Sequence, residues 1–213
     1  MSNLRITEIF HSLQGEASTV GWPTVFIRLT GCPLRCYYCD TAYAFSGGQM
    51  TSIAAILNQV ANFNSQYVTV TGGEPLAQSN CLSLLVQLCD QGYKVSLETS
   101  GAMAIASVDS RVIKVVDVKT PASGMCERNR LTDFQYLLSH DQVKFVICDH
   151  NDYLWAKQLI SQYQLHQRCT VLFSPSYQQV ADRNLADWIL EDQLPVRFQM
   201  QLHKYLWGDI PSR

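Results

Sequence analysis

Short β-branched and aromatic runs alternate with amphipathic stretches along most of the 213-residue chain. Val25-Phe26-Ile27-Arg28-Leu29 reads as a strand running straight into a cysteine-containing loop. Thr51-Ser52 stands where a helix cap belongs, ahead of Ile53, Ile56, Leu57 and Val60 on one helical face. Tyr67-Val68-Thr69-Val70-Thr71 is the next strand. After it come a Gly-rich turn and a helix over Cys81 to Gln91, ending at Gly92, which suits a left-handed cap. Strands are predicted at Lys94 to Glu98, Ile113 to Asp117, Val143 to Ile147, Thr170 to Phe173 and Val196 to Gln199. Helices at Tyr153 to Tyr163 and Asn184 to Asp192 separate the last three.

This alternation predicts βαβ units in a parallel α/β sheet with right-handed crossovers. A complete eight-fold barrel takes about 250 residues. Six or so units in 213 residues therefore predict an open, partial (β/α)6-like barrel. No Pro/Gly-rich linker, charge block or repeat marks a boundary, so one domain over 1–213 is expected.

Polar and Gly-rich residues collect where the predicted strands end. The loop of Cys32 to Cys39 follows the first core strand, Gly72-Gly73-Glu74-Pro75 the second and Thr99-Ser100-Gly101 the third. Lys119-Thr120-Pro121 and Ser174-Pro175-Ser176 follow later ones. The carboxyl ends of strands form the ligand-binding face of α/β folds, so these loops converge on one mouth.

Composition narrows the partners. A hydrophobic content of 47% with 16% charged residues is that of a soluble globular chain. A formal net charge of -2 supplies no electrostatic footprint for nucleic acid or an anionic membrane, and neither is expected as a partner. No apolar run approaches the roughly 20 residues that span a bilayer. Met1 to Arg5 lacks the pattern of a secretory signal, so the cytoplasm is the expected compartment. A reducing compartment keeps thiols free. Five of the eight cysteines (Cys81, Cys89, Cys126, Cys148, Cys169) are scattered and read as small buried hydrophobes.

The other three form Cys32-x3-Cys36-x2-Cys39. Thiolates so close suit a soft metal centre: zinc, copper(I) or an iron–sulfur cluster. Structural zinc wants four closed ligands. His11 lies across a strand and Cys81 a whole βα unit away, so no fourth ligand is near in sequence. Three thiolates on a four-iron cluster leave one iron open to a non-protein ligand, and that reading is favoured.

In this spacing the chain resembles the radical S-adenosylmethionine (SAM) superfamily, whose C-x3-C-x2-C triad holds a [4Fe–4S] cluster. The resemblance implies that SAM chelates the open iron and is split to a 5′-deoxyadenosyl radical. It implies that Tyr38, just before the third cysteine, packs beside adenine, and that Gly72-Gly73-Glu74-Pro75 is the GGEP loop receiving the methionine amino group. Two glycines let backbone approach a ligand and Glu74 offers an acceptor for an ammonium.

Within the superfamily the chain resembles the 7-carboxy-7-deazaguanine synthase family over nearly its whole length. The resemblance rests on Phe10 to Glu16, Phe26 to Cys32, Cys39-Asp40-Thr41, Val70 to Pro75, Glu98 to Gly101 and Gln201 to Leu206. It implies ring contraction of 6-carboxy-5,6,7,8-tetrahydropterin to 7-carboxy-7-deazaguanine with release of ammonia, on the route to queuosine and other 7-deazapurines. It further implies Mg2+ on Thr41, an electron donor such as flavodoxin or ferredoxin, and a homodimer. Carried over position by position, Leu13, Gln14, Gly15, Glu16, Arg28 and Thr71 bind the pterin. Gly72, Gly73, Glu74, Glu98, Ser100, Asp117, Val118 and Lys119 join Tyr38 in binding SAM.

The bland readings stay beside these. Arg28 in a strand can simply pair with a neighbouring acid, Asp40-Thr41 can be a turn or helix cap, and His203 can be a core histidine. Ala17 stands where the family's Gln-Gly-Glu-Gly has its last glycine, and Asp117-Val118-Lys119 stands where relatives often carry Ser-Pro-Lys. Trp207 to Arg213 extends the chain past His203-Lys204. A glycyl-radical activase shares the triad and the compact size but leaves Leu13 to Glu16 and Arg28 without a task. A zinc-binding interaction module is the non-enzymatic alternative.

Overall fold

The computed structural model describes residues 2–210 and 212. Its strands are β1 (Asn3–Leu13), β2 (Pro23–Leu29), β3 (Gln49–Ser52), β4 (Tyr67–Gly72), β5 (Lys94–Thr99), β6 (Ile113–Val118), β7 (Gln142–Ile147), β8 (Thr170–Pro175) and β9 (Arg197–Phe198). Its helices are α1 (Ile53–Ala61), α2 (Cys81–Asp90), α3 (His150–Tyr163), α4 (Leu165–Arg168), α5 (Asp182–Glu191) and α6 (Leu202–Trp207). The strands form one open sheet in the order β3-β1-β2-β4-β5-β6-β7-β8-β9. From β2 onward every neighbouring pair is parallel. The partial parallel barrel expected from the sequence is therefore present.

Local chemistry accounts for the element ends. Ser52 caps α1 by accepting from the Ala55 amide, as the Thr51-Ser52 pair predicts. Asp149 caps α3 by accepting from the Asp152 amide, which moves that start three residues ahead of the predicted Tyr153. The last strand is shorter than expected, since the Val196 amide donates back to the Leu194 carbonyl (2.8 Å) instead of joining the sheet.

Three features were not foreseen. An antiparallel edge of β1 and β3 extends the parallel sheet beside β2. β1 carries an irregularity between Ile6 and Glu8, and a bulge of this kind switches which face later side chains occupy. Leu4 and Ile6 thus lie in the core, while Phe10 faces the opposite side. Finally, among the described residues no α-helix joins β5 to β6, and only short 3-10 turns join β6 to β7.

The two faces of the sheet differ chemically. Val25, Ile27, Val68, Val70, Leu97, Val116, Val143, Phe145, Val171 and Phe173 point to the helices and build the main core. The alternate positions are Arg28, Thr71, Glu98, Asp117, Lys144 and Ser174, which line the concave side. Small barrels usually fill their interior with apolar side chains. A polar lining here leaves a cavity.

Candidate active site

The cavity has a volume of about 500 Å³ and opens at the carboxyl ends of the parallel strands. That volume lies within the ordinary range of small-molecule sites. Cys32, Cys36 and Cys39 form part of its wall, together with Tyr38 and Thr41.

The cysteine loop is seated by the turn after β4. The Gly73 amide donates to the Leu29 carbonyl (3.1 Å) and the Glu74 amide to the Gly31 carbonyl (2.8 Å). A Cβ on Gly73 would strike the Gly31 carbonyl and the Cys32 side chain, and one on Gly72 would strike Leu29. Gly72 also has φ of +143°, a conformation that favours glycine. The two glycines are thus demanded first by contact between two protein loops, with the same backbone left facing the cavity.

Glu74 departs from its expected place. It is 0% exposed and absent from the cavity wall. Its carboxylate accepts from the Leu76 amide, the Thr99 hydroxyl, the Ser100 amide and the Ser100 hydroxyl. These four donors occupy the group expected to accept an ammonium. Glu74 instead ties the GGEP turn to the end of β5. Val118 is also corrected: strand alternation turns it, 1% exposed, into the helix-side core, while Asp117 and Lys119 face the cavity.

Burial pushes the Cys32, Cys36 and Cys39 thiols above the usual range, and Lys119 pulls each of them back. Burial opposes the Lys119 ammonium too, but Asp117, 2.9 Å away, holds it charged. Lys119 also lies 5.7 Å from the centroid of the Tyr38 ring. The Tyr38 hydroxyl is buried without a hydrogen-bond partner, and burial pushes its pKa up. Among the described residues, no three His, Cys, Asp or Glu side chains gather around one point as a single metal ion requires. The three thiols share this cavity wall, and three thiolates suit an iron–sulfur cluster, whereas structural zinc takes four closed ligands.

The Leu13 to Glu16 segment lines the same cavity. Gln14 is 3% exposed; its amide nitrogen donates to Thr69 (3.1 Å) and Glu98 (3.4 Å), and its oxygen accepts from the Glu16 amide (3.2 Å). Glu16 accepts from Gln199 (3.2 Å) and Gln201 (2.9 Å) and is ion-paired with Lys144 (2.8 Å). Burial opposes its charge, yet Lys144 holds its carboxyl below the usual range. Ala17 takes φ of +64°, so the turn keeps the conformation a glycine would adopt. Its amide donates to Gln199 (2.6 Å) and its carbonyl accepts from Arg197. Glu98, expected near SAM, lines the cavity and accepts from Gln14 (3.4 Å) and Thr71 (2.9 Å).

Arg28 meets both of its readings. Its Nε donates to Glu8 at 2.6 Å, the neighbouring-acid pairing, and its guanidinium lies against Phe10 and Tyr43 while lining the cavity. Tyr43 (2.9 Å) and Ser212 (2.5 Å) also donate to Glu8. Thr41 donates to Asp40 (2.8 Å), and the cap position it occupies ahead of a 3-10 turn carries no side-chain cap bond.

The C-terminal segment completes the wall. The Leu202 amide donates to the Gly15 carbonyl (3.0 Å), and a Cβ on Gly15 would collide with the His203 ring. Lys204 is ion-paired with Asp40 (3.1 Å). The Asp40 side chain is 41% exposed; local desolvation opposes its charge, yet this ammonium draws its pKa down to about 2. His203 is therefore a wall residue packed on Gly15 and not a core histidine.

Sequence reasoning passed over Lys144, Glu8, Tyr43, Gln199 and Gln201. Lys144 left a signal, a lone charge within the otherwise apolar run Val143 to Ile147. Gln201 opens the terminal motif of the family resemblance; Glu8, Tyr43 and Gln199 left no signal, because their roles depend on strands and loops distant in the chain.

Comparison with known proteins gives this wall a context. Residues 26–112 match the radical SAM superfamily. A 7-carboxy-7-deazaguanine synthase of Chlorobaculum tepidum is 45% identical over 208 residues, covering 96% of this chain and 94% of the relative. The chain belongs to the 7-carboxy-7-deazaguanine synthase family of radical SAM enzymes. A Koribacter versatilis relative of the same name is 42% identical, covering 96% of this chain and 97% of its own length. The crystal structure of QueE from Escherichia coli shares the fold with a TM-score of 0.75 at 21% identity, covering 95% of this chain and 96% of that one. A [4Fe–4S] cluster and SAM are the cofactors of this superfamily. No helix among the described residues is long and apolar enough to cross a membrane.

Proposed function

We propose that this chain, acting as one radical SAM domain over residues 1–213, contracts 6-carboxy-5,6,7,8-tetrahydropterin to 7-carboxy-7-deazaguanine with release of ammonia, a step of queuosine and 7-deazapurine formation. One observation carries the reading: the three thiols and the Leu13 to Glu16 segment with Arg28 line a single cavity. A glycyl-radical activase gives the second set no task, and a zinc module gives the cavity none.

Cys32, Cys36 and Cys39 hold the cluster. Bound there with SAM, it supplies a carbon-centred radical able to take a hydrogen atom from substrate. Backbone at Gly72 and Gly73, the Tyr38 ring and hydroxyl, Ser100, Asp117 and Lys119 form the SAM side. Glu74 acts from behind by fixing Ser100, and Val118 contributes only its strand. Arg28 pairs with the substrate carboxylate through its terminal nitrogens, with Nε committed to Glu8. Gln14, Glu16, Glu98 and Thr71 present acceptors and donors to the amide and amino edge of the pterin. Thr41 with Asp40 offers oxygens to Mg2+, whose remaining shell is substrate and water. An electron donor of the flavodoxin or ferredoxin class and a homodimer complete the proposal.

The test is turnover by the anaerobically reconstituted protein with SAM, Mg2+, reductant and the carboxytetrahydropterin. Formation of the deazaguanine acid is expected. Reductive cleavage of SAM with the pterin untouched would refute the substrate assignment.

A further inference from the structure

Lys144 stands between the two ligand sets and belongs to neither. It projects from the middle of β7, with its side chain 13% exposed. Its Nζ lies 2.8 Å from Glu16 and 3.4 Å from the Asp117 carboxylate, whose other oxygen lies 2.9 Å from Lys119. The result is a run of four alternating charges, Glu16, Lys144, Asp117 and Lys119, from the pterin wall to the cysteine loop. We propose that Lys144, acting through Asp117, is a positioning residue that makes binding of the pterin and of SAM cooperative. The inference rests on the ligand reading above.

The physical case has three parts. First, Gln201 holds one Glu16 oxygen while Gln199 and Lys144 share the other, so a ligand that draws on this carboxylate alters its hold on Lys144. Second, the ammonium is shared. Burial works against its charge, but Glu16, Asp117 and Glu98 together keep it firmly protonated, so whatever Glu16 releases Asp117 takes up. Third, charges in a partly desolvated cavity interact far more strongly than in water, so such a redistribution reaches the other end of the run. Asp117 closes the circuit in this chain, with one oxygen on Lys144 and the other on Lys119.

The test measures binding, not turnover. Anaerobically reconstituted enzyme, with its cluster oxidised and no reductant, is titrated calorimetrically with 6-carboxypterin and with SAM, each alone and each with the other saturating. Wild type is expected to bind each ligand about five-fold or more tightly in the presence of the other, by the same factor in both directions as linkage requires. In Lys144→Met the factor is expected to fall to near one while each ligand alone still binds, and Lys144→Arg is expected to restore part of it. In Asp117→Ser, which also alters the SAM side, SAM alone is expected to bind more weakly, the pterin alone as in wild type, and the factor again to fall to near one. Asp117→Ser leaves the Glu16 pair intact and carries the test if Lys144→Met does not fold. Independent binding of both ligands to wild type, or an unchanged factor in the variants, would overturn the inference and leave the proposed function standing. Binding of SAM without any binding of the pterin would instead overturn the proposed function.

Discussion

Two lysines on adjacent strands, one buried and one half-buried, show how one kind of ion pair serves two places in the sheet. Lys114, near the start of β6, pairs with Asp141 at 2.8 Å, with side chains 3% and 0% exposed. Asp141 also accepts the backbone amides of Lys114 (2.8 Å) and Leu138 (2.7 Å). Every contact there is to the protein, and the pair fastens the start of β6 to the turn before β7. Lys144, in the middle of β7, faces the cavity and divides itself between Glu16 and Asp117, 12% and 18% exposed. The chemistry is the same; access to solvent and ligand is not. A sealed pair is structural, whereas a pair on a cavity wall is able to respond to what enters.

Removing one partner of a sealed pair leaves an uncompensated buried charge. Asp141→Ala should therefore cost about 3–5 kcal/mol of stability, read by denaturant unfolding, with SAM and pterin affinities of the folded fraction unchanged. Glu74 sharpens the contrast, since it sits at the cavity end yet is fully buried. Glu74→Ala strands the Thr99 and Ser100 donors and should cost about 2–3 kcal/mol, accompanied by weakened SAM binding as Ser100 loosens. Lys144→Met should cost less, about 1–2 kcal/mol, because water in the cavity solvates the carboxylates it leaves. A loss as large as that of Asp141→Ala would erase the distinction between the two places. Thr71→Val removes one hydrogen bond to Glu98 and should cost about 1 kcal/mol. Its effect should appear in pterin affinity by calorimetry and not in SAM affinity.

Much of the frame was legible because its causes are local. Alternation of Val25-Phe26-Ile27-Arg28-Leu29 or Val68-Thr69-Val70-Thr71 is a property of adjacent residues, and so is the Ser52 cap of α1. β1 escaped because its bulge breaks the single alternating face that marks a strand. The Glu74 role escaped because a GGEP loop read alone offers its carboxylate to any donor, and only the position of Thr99 and Ser100 on the next strand reveals that protein donors reach it first.

By itself the sequence determined the soft-metal loop, the order of the strands that follow it and the family, since each is written in residue types at fixed spacing along the chain. Tertiary structure alone decided which side chains meet across the cavity. It set Lys144 between Glu16 and Asp117, His203 on Gly15, and Glu8 on Arg28. Those pairs join residues 20 to 188 positions apart by their numbering. Electrostatic and steric contact depends on distance in space, and no local pattern records which distant charge will arrive.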